Sequence, residues 1–176
     1  MSRATSQNGW PALEAGSALL HTWVIPARTG AVRVTLRGGS AGFLIVHLLL
    51  WWAEVLEPLA GRVLDDWGFA ARLIRGSATE LSNHASGTAA DANATAHPLG
   101  THTLTADELA KLRRRLKLYA GTLRCGAFYS GRVDQMHTEV NASLTRCEHV
   151  ARVLMLTPRG RRILAANPGQ RAVILS

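Results

Sequence analysis

Cysteine is scarce in this chain, with Cys125 and Cys147 the only two. They form no CxxC pair and sit in no Cys/His spacing of the zinc-finger kind, which excludes a thiolate-rich structural metal site. One disulfide or two free thiols would both fit, and the sequence favours free thiols in a reducing compartment. Long apolar runs are also missing. The one strongly apolar stretch, Ala41 to Ala53, is about thirteen residues long and is interrupted by His47, against the roughly twenty that a bilayer span needs. It predicts a buried helix, with Trp51 and Trp52 in the core. There is no internal repeat and no low-complexity linker. With 47% hydrophobic and 18% charged residues the composition is globular.

Acidic residues are the other shortage: 12 Asp and Glu against 20 Lys and Arg, a net charge of +8. Such a surface is drawn to nucleic acid, anionic lipid or anionic cell-wall polymer, and charge alone does not choose among them. No helix-turn-helix or RNA-binding motif is present, so no nucleic-acid partner is expected. Lys111, Arg113, Arg114, Arg115 and Lys117 form a basic run, either a solvated helix face or a patch that docks on an anionic polymer. A length of 176 residues suits a single domain spanning 1–176.

Along the chain, residues 8–30 are rich in Gly, Pro and Ala and predict an irregular lead-in around Trp10 and Trp23. Val32, Val34 and Leu36 alternate with Arg33, Thr35 and Arg37, the period of a half-buried strand. A helix from about Ser40 to Glu57, closed by Pro58, follows. Trp67 to Ile74 reads as a second strand, Arg75 to Gly87 as a polar loop, and Thr88 to Asn93 as a short strand of small residues. His97, Pro98 and Gly100 mark another loop. Thr105 with Glu108 is a capping-box signature for a helix ending before Gly121. Leu123 to Asn141 predicts a hairpin turning at Ser130-Gly131, and two short helices complete the chain, the last starting at Thr157-Pro158. Strand connections look too short for crossovers. The expected class is α+β, a small antiparallel sheet flanked by helices with a metal site on the sheet.

The chemistry concentrates in Ser82-Asn83-His84-Ala85-Ser86-Gly87-Thr88-Ala89-Ala90-Asp91. Imidazole nitrogen and carboxylate oxygen are both good zinc ligands. Gly87 permits the sharp turn that returns His84 beside Asp91. A second segment, Asp134-Gln135-Met136-His137-Thr138-Glu139, offers a third ligand and two more carboxylates. On a strand Glu139 would share a face with His137, whereas Asp134 would sit in the preceding turn, free to lean over a metal. Residue types alone leave a surface His–Asp hydrogen bond as the alternative.

The pattern Ser82-x-His84-x-x-Gly87-x-Ala89-x-Asp91, followed about forty-five residues on by Asp134-x-x-His137, resembles the D-Ala-D-Ala carboxypeptidase and L-Ala-D-Glu endopeptidase family of zinc peptidases. The flanking Asn8-Gly9-Trp10-Pro11, Asp66-Trp67-Gly68, Ile74-Arg75-Gly76-Ser77 and His97-Pro98-Leu99-Gly100 look most like endolysin catalytic domains from phages of actinobacteria. The resemblance covers roughly residues 8–141, with a helical C-terminal tail beyond.

It implies Zn²⁺ held by His84, Asp91 and His137, Asp134 as general base, and Ser82 and Glu139 supporting the ligands. An upstream arginine would hold the developing oxyanion or a substrate carboxylate; Arg75 and Arg72 both qualify, and Ile-Arg-Gly-Ser favours Arg75. Cys125, where the family tends to carry an aromatic residue, and Thr138, in place of a bulky one, depart from the pattern and bear on the shape of the cleft. The implied activity is hydrolysis of a peptidoglycan stem peptide, at L-Ala-D-Glu. The alternatives are a D-Ala-D-Ala carboxypeptidase or a non-catalytic wall-binding module. Met1 to Gly16 holds no apolar run of the signal-peptide kind, so the expectation is synthesis in the cytoplasm and action on the wall after release. His97 and His102 lie near the motif but are not counted in the site; His21, His47 and His149 read as packing or surface residues.

Overall fold

The computed structural model describes residues 4–59 and 67–176. Met1 and Asp66, both used in the sequence reading, lie outside the described residues.

The first element corrects that reading. Leu20–Ala27 (β1) is a strand, paired antiparallel with Gly30–Arg37 (β2) from Leu20↔Arg37 to Ala27↔Gly30. Arg28 and Thr29 make the two-residue turn between them. Pro26 and the glycines around the segment disguised it, since only Trp23 and Ile25 carry the alternation. Both are fully buried, and with Val32, Val34 and Leu36 they form the inner face of the hairpin.

Against that face lies Gly39–Val55 (α1), where fourteen residues in succession, Gly39 to Trp52, are buried. A helix apolar on every side belongs in the middle of a core. It packs on β1 and β2 and on the C-terminal helices Leu144–Leu154 (α3), Pro158–Ala166 (α4) and Gln170–Leu175 (α5). His47, the polar interruption of its Ala41–Ala53 run, is satisfied by Tyr119 Oη at 3.0 Å and Arg115 Nη2 at 3.1 Å. Burial, reinforced by Arg115 and Arg159, lowers its pKa to about 3, so it stays neutral. The tail thus has three helices where two were expected. Thr157 caps α4 and Pro158 opens it, but the chain turns again at Gly169 into α5.

A separate three-stranded antiparallel sheet carries the site. Ala89–Asp91 (β3), Leu123–Cys125 (β4) and His137–Val140 (β5) stand in the order β3-β5-β4. The single expected sheet is therefore two small ones, with helices around them. Residues 67–74 do not form the predicted strand. Trp67 bridges Asp91 and Leu73 bridges Leu81, but between them the backbone turns away to Thr35 and His84. Gly68 is the reason, because a Cβ there would stand 2.1 Å from Thr35 O. Ala106–Leu116 (α2) opens with the expected capping box, Thr105 to Glu108, and passes into a 3₁₀ turn over Lys117–Tyr119. Both cysteines are free and buried, and burial raises each thiol to about 12, which makes them inert. Among the described residues no helix is long and apolar enough to cross a membrane.

The join between the hairpin and α1 is the tightest contact in the core. A Cβ on Gly42 would stand 1.9 Å from Arg37 O and 2.6 Å from Trp23 Nε1. Gly42→Ala should therefore destabilise the protein by about 1–3 kcal/mol, the usual cost of overpacking. Gly131→Ala, where nothing lies within 4 Å, should change the urea midpoint little. Equal midpoints for the two variants would show that α1 can shift away from the hairpin without penalty.

Candidate metal centre

His84 sits on a 3₁₀ turn, Asn83–Ser86. Ser82 Oγ accepts from His84 N at the head of the turn, at 3.4 Å. Gly87 closes it in the left-handed region at φ 67°, and its N–H returns to the carbonyls of Asn83 and His84. Glycine is required there for space as well as for φ, since a Cβ would lie 2.7 Å from Arg37 N. The turn fixes the imidazole. Nδ1 lies 2.6 Å from Gly68 O, and a carbonyl only accepts, so Nδ1 donates there and Nε2 is the atom turned toward the cluster. That Nε2 is buried and has no hydrogen-bond partner; Asp91 Oδ1 stands 3.3 Å away.

The other two ligand candidates come from the sheet. The β3–β5 register places Asp91 directly opposite His137. His137 Nδ1 is 2.8 Å from Asp91 Oδ1, and its Nε2 is 3.1 Å from Glu139 Oε2. One ligand atom from each of His84, Asp91 and His137 lies within 4.8 Å of the others. Two nitrogens and one carboxylate oxygen in that space fit a divalent cation, with a coordination position left over. The sequence expectation of these three residues together is met in the geometry.

Glu139 lies beneath the cluster. It accepts hydrogen bonds from His137, from Tyr129 Oη at 2.6 Å, from Asn83 Nδ2 and from Arg124 Nε. Burial pushes its pKa up, but His137, Tyr129 and Asn83 outweigh that and bring it down to about 2. Asp91 is likewise raised by burial and pulled well below the carboxylate range by the two imidazoles. His137, caught between both acids, is raised to about 10 despite its burial. The cluster is thus built to hold positive charge at its centre, and a cation arriving there displaces a proton.

Asp134 differs from both. It precedes β5 in a turn closed by His137 N to Asp134 O at 3.1 Å, and its own N–H donates to Gly126 O at 3.0 Å. Gly126 packs so close that a Cβ there would stand 2.3 Å from Asp134 O. Its Oδ1 is buried without a partner. Burial first, and Asp91 as well, raise its pKa, while His137, His84 and Arg72 act the other way. It lines a cavity of about 720 Å³ together with the three ligand candidates, Arg72, Arg75 and Arg132. Of the two upstream arginines, Arg75 is exposed, whereas Arg72 is half-buried with its Nε unpartnered and its charge bearing on Asp134.

His97 stays outside the cavity. Its Nε2 is 2.6 Å from Glu57 Oε1 and its Nδ1 is 2.5 Å from Thr103 Oγ1, in a buried polar network. His102 and His149 are exposed. Asn83, Arg124 and Tyr129 were missed by sequence reasoning. Asn83 stands inside the motif, and its neighbour His84 drew the attention; the other two carry no signal beyond their proximity to β4.

Two substitutions should separate ligand from support. His84→Ala should abolish stoichiometric metal binding. Glu139→Gln should keep the fold but weaken metal affinity roughly 10–100-fold, the usual cost of losing a group that orients a ligand. Competition with a metal chelator measures both, and an unchanged affinity for Glu139→Gln would remove Glu139 from any part in holding His137. No protein-family model, curated protein or solved structure matches the chain, so the chemistry of the cluster rests on its own atoms.

Proposed function

We propose that the chain is a zinc-dependent peptidase acting on peptidoglycan stem peptides, at the L-Ala-D-Glu bond. The observation that carries this reading is one cavity holding both a candidate three-donor cation site and a half-buried carboxylate, Asp134, with one oxygen buried and unpartnered. A purely structural site closes its coordination and needs no such acid. The motif resemblance of Ser82 to Asp91 and of Asp134 to His137 supplies the substrate class.

Bound by His84, Asp91 and His137, zinc would supply a Lewis acid and water of lowered pKa. Around it the residues divide the remaining tasks. Asp134 takes the proton of the attacking water and returns it to the leaving amine, a role suited to a carboxyl whose pKa is raised by burial. Arg72 faces the negative charge that develops on the carbonyl oxygen. This replaces the expected Arg75, because an unpaired, half-buried guanidinium is the better-placed donor. Glu139 holds the His137 ring by accepting from Nε2. Its four donors leave it no free lone pair facing the cavity, which is why the base is Asp134. The net charge of +8 suits an anionic wall polymer as the surface on which the enzyme works.

Asp134→Asn should keep one zinc per chain while turnover falls roughly 10²–10⁴-fold. Arg72→Gln should lower kcat with little change in KM, the mark of an interaction made in the transition state. New amino termini released from purified peptidoglycan, read by mass spectrometry beside zinc content, measure both. Walls that yield no new termini with the zinc-loaded wild type would overturn the peptidase reading.

A further inference from the structure

Arg132 takes no part in the chemistry described so far, yet it lines the same cavity. It is exposed, and among the described residues it forms no ion pair and no hydrogen bond, so its charge is free for a group from outside the chain. It is also seated. Its Nε lies 3.3 Å, and its Nη2 3.8 Å, from where a Cβ on Gly100 would be. The side chain is therefore laid across the bare backbone of Gly100, whose N–H is tied to Val133 O at 2.8 Å. An exposed guanidinium lying over the backbone of Gly100, at a cavity and paired with no acid, is placed to receive an anion from outside the chain.

Its position in the fold says where that anion must be. Arg132 belongs to the β4–β5 connection, and Arg72 and Arg75 belong to the segment that bridges the outer edge of β3. Both segments line the cavity, so positive charge enters it from two separate stretches of the chain. Arg132 and Asp134 are two positions apart, a Cα separation of at most about 7 Å. A group that Arg132 holds therefore lies in the same cavity as Asp134 and the ligand candidates. Of the three acids lining the cavity, Asp91 is engaged by the imidazoles and Glu139 by Arg124, Tyr129 and Asn83, and Asp134 forms no ion pair with Arg132 among the described residues. Leu99, Met136 and Trp67 supply apolar wall between the charges.

We propose that Arg132 is a specificity-determining residue whose guanidinium binds a free carboxylate of the substrate beside the scissile bond, so that peptides bearing it are preferred over the corresponding amides. The inference rests on the peptidase reading and adds to it a residue that selects the ionisation state of the substrate. The planar fork matches a carboxylate with two parallel N–H donors, whereas a carboxamide offers one acceptor oxygen and repels with its NH₂.

The test uses two synthetic stem peptides that differ at one atom position. In one, the residue after the scissile bond is γ-linked D-glutamate with a free α-carboxylate, and in the other it is the α-amide. Zinc-loaded wild type should cleave the acid with a kcat/KM roughly 10–100-fold above the amide, from the worth of a hydrogen bond to a charged group. Arg132→Gln should bring that ratio to within about threefold, the loss falling mainly on the KM of the acid, and Arg132→Lys should recover part of it. Zinc content of both variants should match the wild type. Arg132→Gln that keeps the wild-type preference overturns the proposal, and so does a wild type that cleaves both peptides equally well, which would leave the peptidase reading standing. A wild type that cleaves neither peptide overturns both.

Discussion

The pairing of Asp91 with His137 across β3 and β5 is the contact on which the whole site depends. In an antiparallel pair, directly opposite residues project to the same face, and a slip of one position would send one of them into the core. Here the register is pinned from both sides. Trp67 exchanges two backbone hydrogen bonds with Asp91 at the outer edge, and β4 holds the other side of β5 through Arg124 opposite Glu139. The same register places Glu139 two residues along the site face, where it supports the His137 ring. It turns Thr138 and Val140 inward toward α1. One strand of four residues thus carries a ligand candidate and its support on one face and core packing on the other.

Burying this much charge is costly unless each group has a partner. Asp91, Glu139 and His137 solve the problem together, each acid stabilised by the imidazole between them, with Arg124, Asn83 and Tyr129 completing the shell of Glu139. Asp134 and Arg72 are left outside that arrangement with unpartnered buried atoms. Unsatisfied polar atoms are rare in folded proteins because they destabilise them. Here two of them, opposite in sign, line one cavity.

How much of this could be read beforehand follows from where the information sits. The ligand candidates were legible because their spacing is short: His84, Gly87 and Asp91 lie on one turn and one strand, and His137 and Glu139 share a strand face. The capping box at Thr105 and the cap at Thr157 were legible for the same reason. The β1 strand was not, since Pro26 and nearby glycines hide an alternation that only two residues carry, and its partner β2 supplies the pattern. That Arg72 is half-buried and Arg75 exposed was not legible either, because residues 67–74 leave the strand path at Gly68, whose backbone packs on Thr35, more than thirty positions away.

Cys125 and Thr138 illustrate the same limit. They lie far apart in sequence and were expected to bear separately on the shape of the cleft. In the sheet they are cross-strand partners, and both are buried. Because the face of β5 alternates, Thr138 projects opposite to His137 and Glu139, and Cys125 with it, away from the cavity. They are a single packed pair on the core side, and so bear on the packing beneath the sheet, not on the face that carries Asp91 and His137. The cleft is shaped instead by residues on the other face and in the loops: Arg132 across Gly100, Asp134 against Gly126, and Arg72 beyond Gly68. At each of these three places a glycine lets the backbone or side chain come close, so the charged groups are positioned by the absence of a side chain as much as by the presence of one.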